Sequence, residues 1–377
     1  MSAETPRERV ARLLAAAPLV DGHNDLPIII RRHTGHPADP AAYPLEENAP
    51  GHTDLARLRS GGVGAQFWAA YVPCDRAGPG AAAFALEQID VVRRVEARLP
   101  EQLEPCWRAR DVEAAFARGR LASLVGVEGG HAIEGSLGVL RTLRALGVRY
   151  LTLTHNCSHE WADSATDEAR HGGLSAFGRD VVRELNRLGM LVDLSHASDD
   201  VMGDVLDITE APIVFSHSSA RALCDHPRNV PDDVLERVRD NGGVVMVTFV
   251  ARFVSEACLR WWEARESDPH RGPGEGVGER PPAWARATIA DVADHVEHVR
   301  DLAGVAHVGL GSDFDGTDLT PEGLEDVSGY PALLEVLAER GWSDEELTAL
   351  AGGNVLRVMR EAEIASERMQ REGEGGG

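Results

Sequence analysis

The sequence predicts an α/β protein built as a single (β/α)8 barrel of the TIM type, and three observations carry that expectation. Eight short runs rich in β-branched and other apolar residues are spread along 377 residues, separated by stretches with helical spacing. This alternation is expected of repeated βα units around a parallel sheet. Eight strands close such a barrel. A polar residue able to do chemistry follows nearly every run, and barrels collect their functional groups at the C-terminal ends of strands.

In chain order the expected strands are Leu19–Gly22, Val63–Trp68, Leu121–Val127, Tyr150–Thr154, Met190–Leu194, Pro212–Ser216, Val244–Thr248 and His307–Gly311. Before the first lies an amphipathic helix, where Arg7, Arg9 and Arg12 precede Leu13 to Ala17. Acidic Glu4 and Glu8 interrupt what would otherwise look like a signal peptide. The unit Phe177–Leu194 shows the barrel logic. Val181, Val182, Leu185 and Leu188 form a helical stripe, Gly189 supplies the stop, and a buried strand follows at once. The Gly/Pro-rich segment Glu266–Pro282 reads as a long loop after the seventh strand, because the βα pattern resumes beyond it. With no internal repeat and no linker, residues 1–370 read as one domain and 371–377 as a disordered tail.

Composition narrows the function. A net charge of −23 argues against nucleic-acid or anionic-membrane partners, which require basic patches. No run of about 18 uninterrupted apolar residues is available for a membrane span. A small soluble ligand fits better. All 38 basic residues are arginine, so Schiff-base and P-loop chemistry, which need lysine, are excluded. A metal pair bridged by a carbamylated lysine is excluded with them. The five cysteines contain no Cys-x-x-Cys pair, and so odd and sparse a set suits a reducing compartment, the cytoplasm.

The polar residues at the strand ends define the candidate site. His23 and Asp25 alternate after the first strand and so share a face. Glu128 follows the third strand, His155 the fourth, His196 the fifth, His217 the sixth and Asp313 the eighth. Any one of these histidines is more simply a satisfied core residue; placement at successive strand ends is not explained by packing. Glu128 has two oxygens and is followed by glycines that permit close approach. It can bridge two cations. His23, Asp25, Glu128, His196 and His217 then supply nitrogen and oxygen ligands for two Zn²⁺ ions, with Mn²⁺ or Co²⁺ as replacements. A calcium loop at Asp313 fails, because Gly316 falls at position four rather than six. Asp313 is instead placed to act as a general base.

Eight ordered motifs make the reading specific. They are Leu19-Val20-Asp21-Gly22-His23-Asn24-Asp25, Gly126-Val127-Glu128-Gly129-Gly130, Leu153-Thr154-His155-Asn156, Asp193-Leu194-Ser195-His196, Phe215-Ser216-His217-Ser218-Ser219, Arg228-Asn229-Val230-Pro231-Asp232-Asp233, Asp313-Phe314-Asp315-Gly316 and the segment Pro321 to Val327. Together, from about Leu19 to Met359, they resemble the membrane (renal) dipeptidase family, a binuclear zinc branch of the amidohydrolase superfamily. The resemblance implies one zinc on His23, Asp25 and Glu128 and the other on Glu128, His196 and His217. It implies that His155 contacts the scissile carbonyl oxygen, that Arg228 grips the dipeptide's free carboxylate, and that Asp313 shuttles the proton. Cys74 and Cys157 match a pair that is disulfide-bonded in secreted relatives; in a cytoplasmic enzyme they can stay reduced. Thr248 and Val250 depart from an asparagine and a tyrosine usual in the family, and the signal peptide and lipid anchor of the animal members have no counterpart.

The implied activity is hydrolysis of dipeptides, including those with a C-terminal D-residue, by a metal-bridging hydroxide. Other amidohydrolase reactions (lactonase, β-lactam hydrolysis, deaminase) and a catalytically silent metal-stabilised binding protein are the alternatives; the state of assembly, a homodimer included, stays open. Arg221 and Arg252 lie on neighbouring loops of the expected active face. Ordinary surface arginines would account for both. If one lines the pocket, it can pair with an acidic substrate side chain, so dipeptides ending in D-Asp or D-Glu are expected to be cleaved at least as well as those ending in D-Ala.

Overall fold

A computed structural model describes residues 4–35, 37–267 and 280–374. The strands are β1 (Leu19–Asn24), β2 (Val63–Tyr71), β3 (Leu103–Pro105), β4 (Leu121–Glu128), β5 (Val148–Thr152), β6 (Leu191–Asp193), β7 (Val214–Phe215), β8 (Val244–Val247) and β9 (Val308–Leu310). Every pairing is parallel. β1 lies between β2 and β9, with Leu19 opposite Val63 and Asp21 opposite Leu310, and β2 pairs with β4 from Ala65 to Tyr71. The series then runs through β5, β6, β7 and β8 to β9. Eight strands close into a barrel with helices outside, the predicted fold.

All eight predicted strands are present: the first three run one to three residues longer than predicted, β5 is shifted two residues toward the N-terminus, and β6 to β9 are one to three residues shorter. The addition is β3, a three-residue strand beside the first half of β4, Leu103 opposite Leu121. Its Leu-Glu-Pro sequence has too few residues for a period-two pattern and ends in a proline, which does not extend a ladder. The first helix, Pro6–Ala16, starts from a Thr5–Glu8 capping box, an arrangement that satisfies two otherwise orphaned N–H groups. Of the predicted loop Glu266–Pro282, residues 268–279 lie outside the described residues. The last helix runs Asn354–Glu374. It therefore continues through four residues of the expected tail, and residues 375–377 lie outside the description.

Inside the barrel, backbone and ring meet closely. A Cβ on Gly126 of β4 would overlap the Tyr150 ring of β5, so only glycine lets that tyrosine lie across the barrel. Its hydroxyl thereby reaches His23. Among the described residues no helix is long and apolar enough to cross a membrane.

Candidate metal centre and active site

Short strands with apolar faces deliver their last residues to one end of the barrel, and six predicted side chains converge there. His23 Nε2 lies 3.3 Å from Asp25 Oδ2 and 3.5 Å from Glu128 Oε2. The other Glu128 oxygen, Oε1, lies 3.1 Å from His196 Nε2 and 3.5 Å from His217 Nε2. Three groups have ligand atoms all within 4.8 Å of one another: His23 with Asp25 and Glu128, Glu128 with His196 and His217, and His23 with His217 and Asp313. Glu128 thus faces one set with each oxygen.

The hydrogen bonds behind the imidazoles test whether this set suits cations. Tyr150 donates to the Gly22 carbonyl, which leaves its oxygen to accept from His23 Nδ1 at 3.0 Å. Asn156 Oδ1 accepts from His196 Nδ1 at 3.0 Å. Ser216 Oγ donates to Asp193 and accepts from His217 Nδ1 at 2.8 Å. With each Nδ1 protonated, each Nε2 carries a lone pair, the tautomer a metal needs. Two such nitrogens, on His196 and His217, stand 3.0 Å apart. His23 Nε2 and Asp25 Oδ1 are buried without any hydrogen-bond partner. Neighbouring lone pairs and orphaned buried acceptors are costly unless positive charge lies among them. The residues fit a pair of divalent cations.

Electrostatics agree. Burial pushes His196 and His217 well below the usual histidine range. Burial also opposes a charged His23, yet Tyr150 and Glu128 pull it well above that range, so the cluster favours positive charge. Asp313 is pushed well above the carboxylate range by burial, with the like charges of Asp25 and Glu128 adding to the rise against the pull of His23. His196 and Asp313 both have positive φ, 68° and 64°. Non-glycine residues in that region carry backbone strain, which surrounding structure must hold in place. A Cβ on Gly316 would collide with Asp313 Oδ1 and Asp25 Oδ2; glycine there lets the two carboxylates close over the site.

A cleft of about 230 Å³ opens above the cluster, and Tyr71, His155, Asn156, Arg32, Arg252 and Asp313 are among the residues lining it. His155 rests between Tyr71 and His196, with ring centroids 4.7 and 4.4 Å away. Burial drives its pKa down to about 4, so the ring is neutral at physiological pH. Cys74 and Cys157 are disulfide-bonded, and Cys74 Sγ lies 3.8 Å from His155 Nδ1.

The three predicted arginines differ. Arg252 lines the cleft, stacks on Phe253 and Trp262, and comes no nearer than 3.9 Å to Asp318. Arg228 is 2% exposed, donates to Ser218 Oγ and the His217 carbonyl, and keeps its Nε without a partner. Burial lowers its pKa to about 10, which leaves it charged at neutral pH. Arg221 is not brought to the cleft. Its guanidinium makes a two-pronged pair with Asp199 at 2.6 and 2.7 Å and also holds the Asn229 and Pro227 carbonyls, so its donors are engaged away from the cleft expected to receive them.

Sequence reasoning missed Arg32, Tyr71 and the imidazole holders Tyr150, Asn156 and Ser216. Arg32 lies two helical turns beyond Asp25, on the helix Leu26–Thr34, and that spacing was the available signal. Asn156, adjacent to His155, was a second.

Comparison with known proteins places these residues in a family. The sequence profile of the membrane dipeptidases (peptidase family M19) matches residues 7–373. The probable dipeptidase PvdM from Pseudomonas aeruginosa superposes with a TM-score of 0.82 at 22% identity, over 96% of this chain and 99% of that one. A structure described as dipeptidase AC gives 0.79 at 28% identity, over 92% and 98%. A metallopeptidase from Rhodobacter sphaeroides, bound to a phosphinate mimic of the dipeptide L-Ala-D-Ala, gives 0.78 at 27%, over 92% and 99%.

Proposed function

Because the chain belongs to the membrane dipeptidase family, we propose that this metal-dependent hydrolase cleaves dipeptides, those with a C-terminal D-residue included, on two divalent cations. The carrying observation is Glu128, whose two oxygens face two separate sets of ligands. His23 and Asp25 would hold one ion and His196 and His217 the other, with Glu128 shared. Imidazole and carboxylate ligands without thiolate suit Zn²⁺, with Mn²⁺ or Co²⁺ able to replace it. Bound there, the cations would polarise the scissile carbonyl and acidify water.

The remaining steps belong to side chains. Neutral His155 donates an N–H to the oxygen on which charge develops, a role that a preorganised donor fills without reorganisation. Asp313, at the edge of the cluster and lining the cleft, takes the proton from the attacking water and returns it to the leaving amine. Arg228, charged, buried and with a spare Nε–H, binds the free carboxylate of the dipeptide. The L-Ala-D-Ala mimic held by the Rhodobacter sphaeroides enzyme supports the same substrate class here. For location the reading is the cytoplasm, with Cys106, Cys224 and Cys258 as free buried thiols. The Cys74–Cys157 bond runs against it, since disulfides are rare there; recovery of the protein outside the cytoplasmic fraction would overturn the assignment.

Metal analysis and a panel of L,L- and L,D-dipeptides test the proposal. Bound zinc near two ions per chain, loss of hydrolysis on chelation and recovery on adding Zn²⁺ are expected. An active metal-free enzyme would overturn the mechanism, and turnover of lactones or β-lactams without any dipeptide would overturn the substrate.

A further inference from the structure

The three imidazoles at the centre are held from behind by groups of different character. Tyr150 and Asn156, which hold His23 and His196, are neutral and lead to no charge. Behind His217 the chain of bonds continues. Ser216 Oγ, 2.8 Å from His217 Nδ1, lies 2.6 Å from Asp193 Oδ2. Asp193 is fully buried and accepts from Thr152 Oγ1 at 2.6 Å and from the amides of Ser216 and Ser195 at 2.9 and 3.1 Å. A carboxylate only accepts, so the Ser216 proton is committed to Asp193. The serine oxygen must then take the His217 Nδ1 proton, and the Nε2 lone pair is turned toward Glu128.

We infer that Asp193, acting through Ser216, is a positioning residue for the second of the two cations: it fixes His217 as the ligating tautomer and lends it negative charge. This rests on the metal-dependent reading above. A carboxylate behind a ligating imidazole raises its basicity and orients the ring, and losing such a partner weakens metal binding by about 10–100-fold. Here the carboxylate reaches the ring through a hydroxyl. A purely architectural Asp193 would need only Thr152 and the two amides, which tie β5, β6 and the segment after β7 together. The Ser216 hydroxyl repeats a tie to Asp193 that its own amide already makes and approaches Ser195 Oγ only at 3.4 Å, so what it brings beyond architecture is the bond to His217.

The experiment follows zinc rather than turnover. Zinc per chain is measured on the purified holoenzyme against rising dipicolinate, for the unmodified protein, Ser216→Ala and Asp193→Asn. Ser216→Ala is expected to keep one ion at unmodified strength and to release the other at a 10–100-fold lower chelator concentration, and Asp193→Asn to behave alike. If Asp193→Asn does not fold, Ser216→Ala decides alone, since it leaves every other bond to Asp193 in place. Retention of both ions by Ser216→Ala, or loss of both in parallel, would overturn the inference. An unmodified protein that binds no zinc would instead overturn the reading beneath it.

Discussion

At the scale of single residues, the cleft depends on charges that have no close partner of their own. Asp313 makes no side-chain hydrogen bond among the described residues and sits near two other carboxylates, Asp25 and Glu128, under Gly316. Asp313→Asn keeps the shape and removes the base, so kcat should fall by about 10²–10⁴-fold with zinc content unchanged; near-normal turnover at full zinc occupancy would move the proton transfer elsewhere. Arg252 is the second, held only loosely by Asp318 at 3.9 Å and lining the same cleft as Arg32. Its guanidinium can pair in two-pronged fashion with a substrate carboxylate. Dipeptides ending in D-Asp or D-Glu should then be cleaved at least as efficiently as those ending in D-Ala. Arg252→Met should selectively erode kcat/KM for the acidic substrates and Arg228→Met should impair all dipeptides, while Arg221→Met leaves the ranking unchanged. Acidic substrates ranking last would remove this role for Arg252.

Elements turn these residues toward each other, and they explain what a linear sequence conceals. The eight barrel strands were legible because buried parallel strands read as short apolar runs, and the converging histidines and carboxylates were legible because they ended those runs. Tyr150, Asn156, Ser216 and Asp193 were not, since each is an ordinary polar residue until a second element supplies the ring it holds. Arg221 misled for the same reason: following the His217 motif says nothing about which way the side chain leaves the loop, and Asp199 draws it outward. The loop between β5 and the helix Ala176–Leu188 carries both His155 and Asn156, and three of its own backbone amides, of Arg170, His171 and Gly173, fold it onto its Asp163. The disulfide then ties it at Cys157 to Cys74 beyond β2, across a sequence separation of 83. Closing a loop of that length stabilises by about 4–5 kcal/mol in the chain-entropy account. Cys157→Ser should therefore lower stability in a urea titration by about 2–4 kcal/mol and depress kcat through His155 while most zinc is kept. Unchanged kcat would show that the loop holds His155 without the bond.

For the whole molecule, acid should be the main threat, and the sign can be worked out from two histidines outside the metal centre. His159 and His295 are pushed down to about 4 chiefly by burial, each with Nε2 donating to a backbone carbonyl, of Leu153 and Val254 respectively. In the unfolded chain both titrate near ~6.5. Above that value neither state binds the protons and their contribution to stability is intact. As pH falls through it the unfolded chain takes up two protons that the folded chain refuses, and stability drops until pH reaches about 4. Each group costs about 3 kcal/mol over that window. Buried Asp21 and Asp193 work in the opposite direction, because burial raises them and the folded state then binds protons more readily than the unfolded one. A variant isolates the histidine contribution from theirs. In His295→Gln the amide can still accept from the Ala220 N–H and donate to the Val254 carbonyl, but nothing at that position titrates. Urea unfolding at pH 7, 6 and 5 should show His295→Gln losing stability less steeply than the unmodified protein, by about 1.4 kcal/mol per pH unit below pH 6. Parallel pH dependences would mean that His295 takes up its proton without unfolding the barrel.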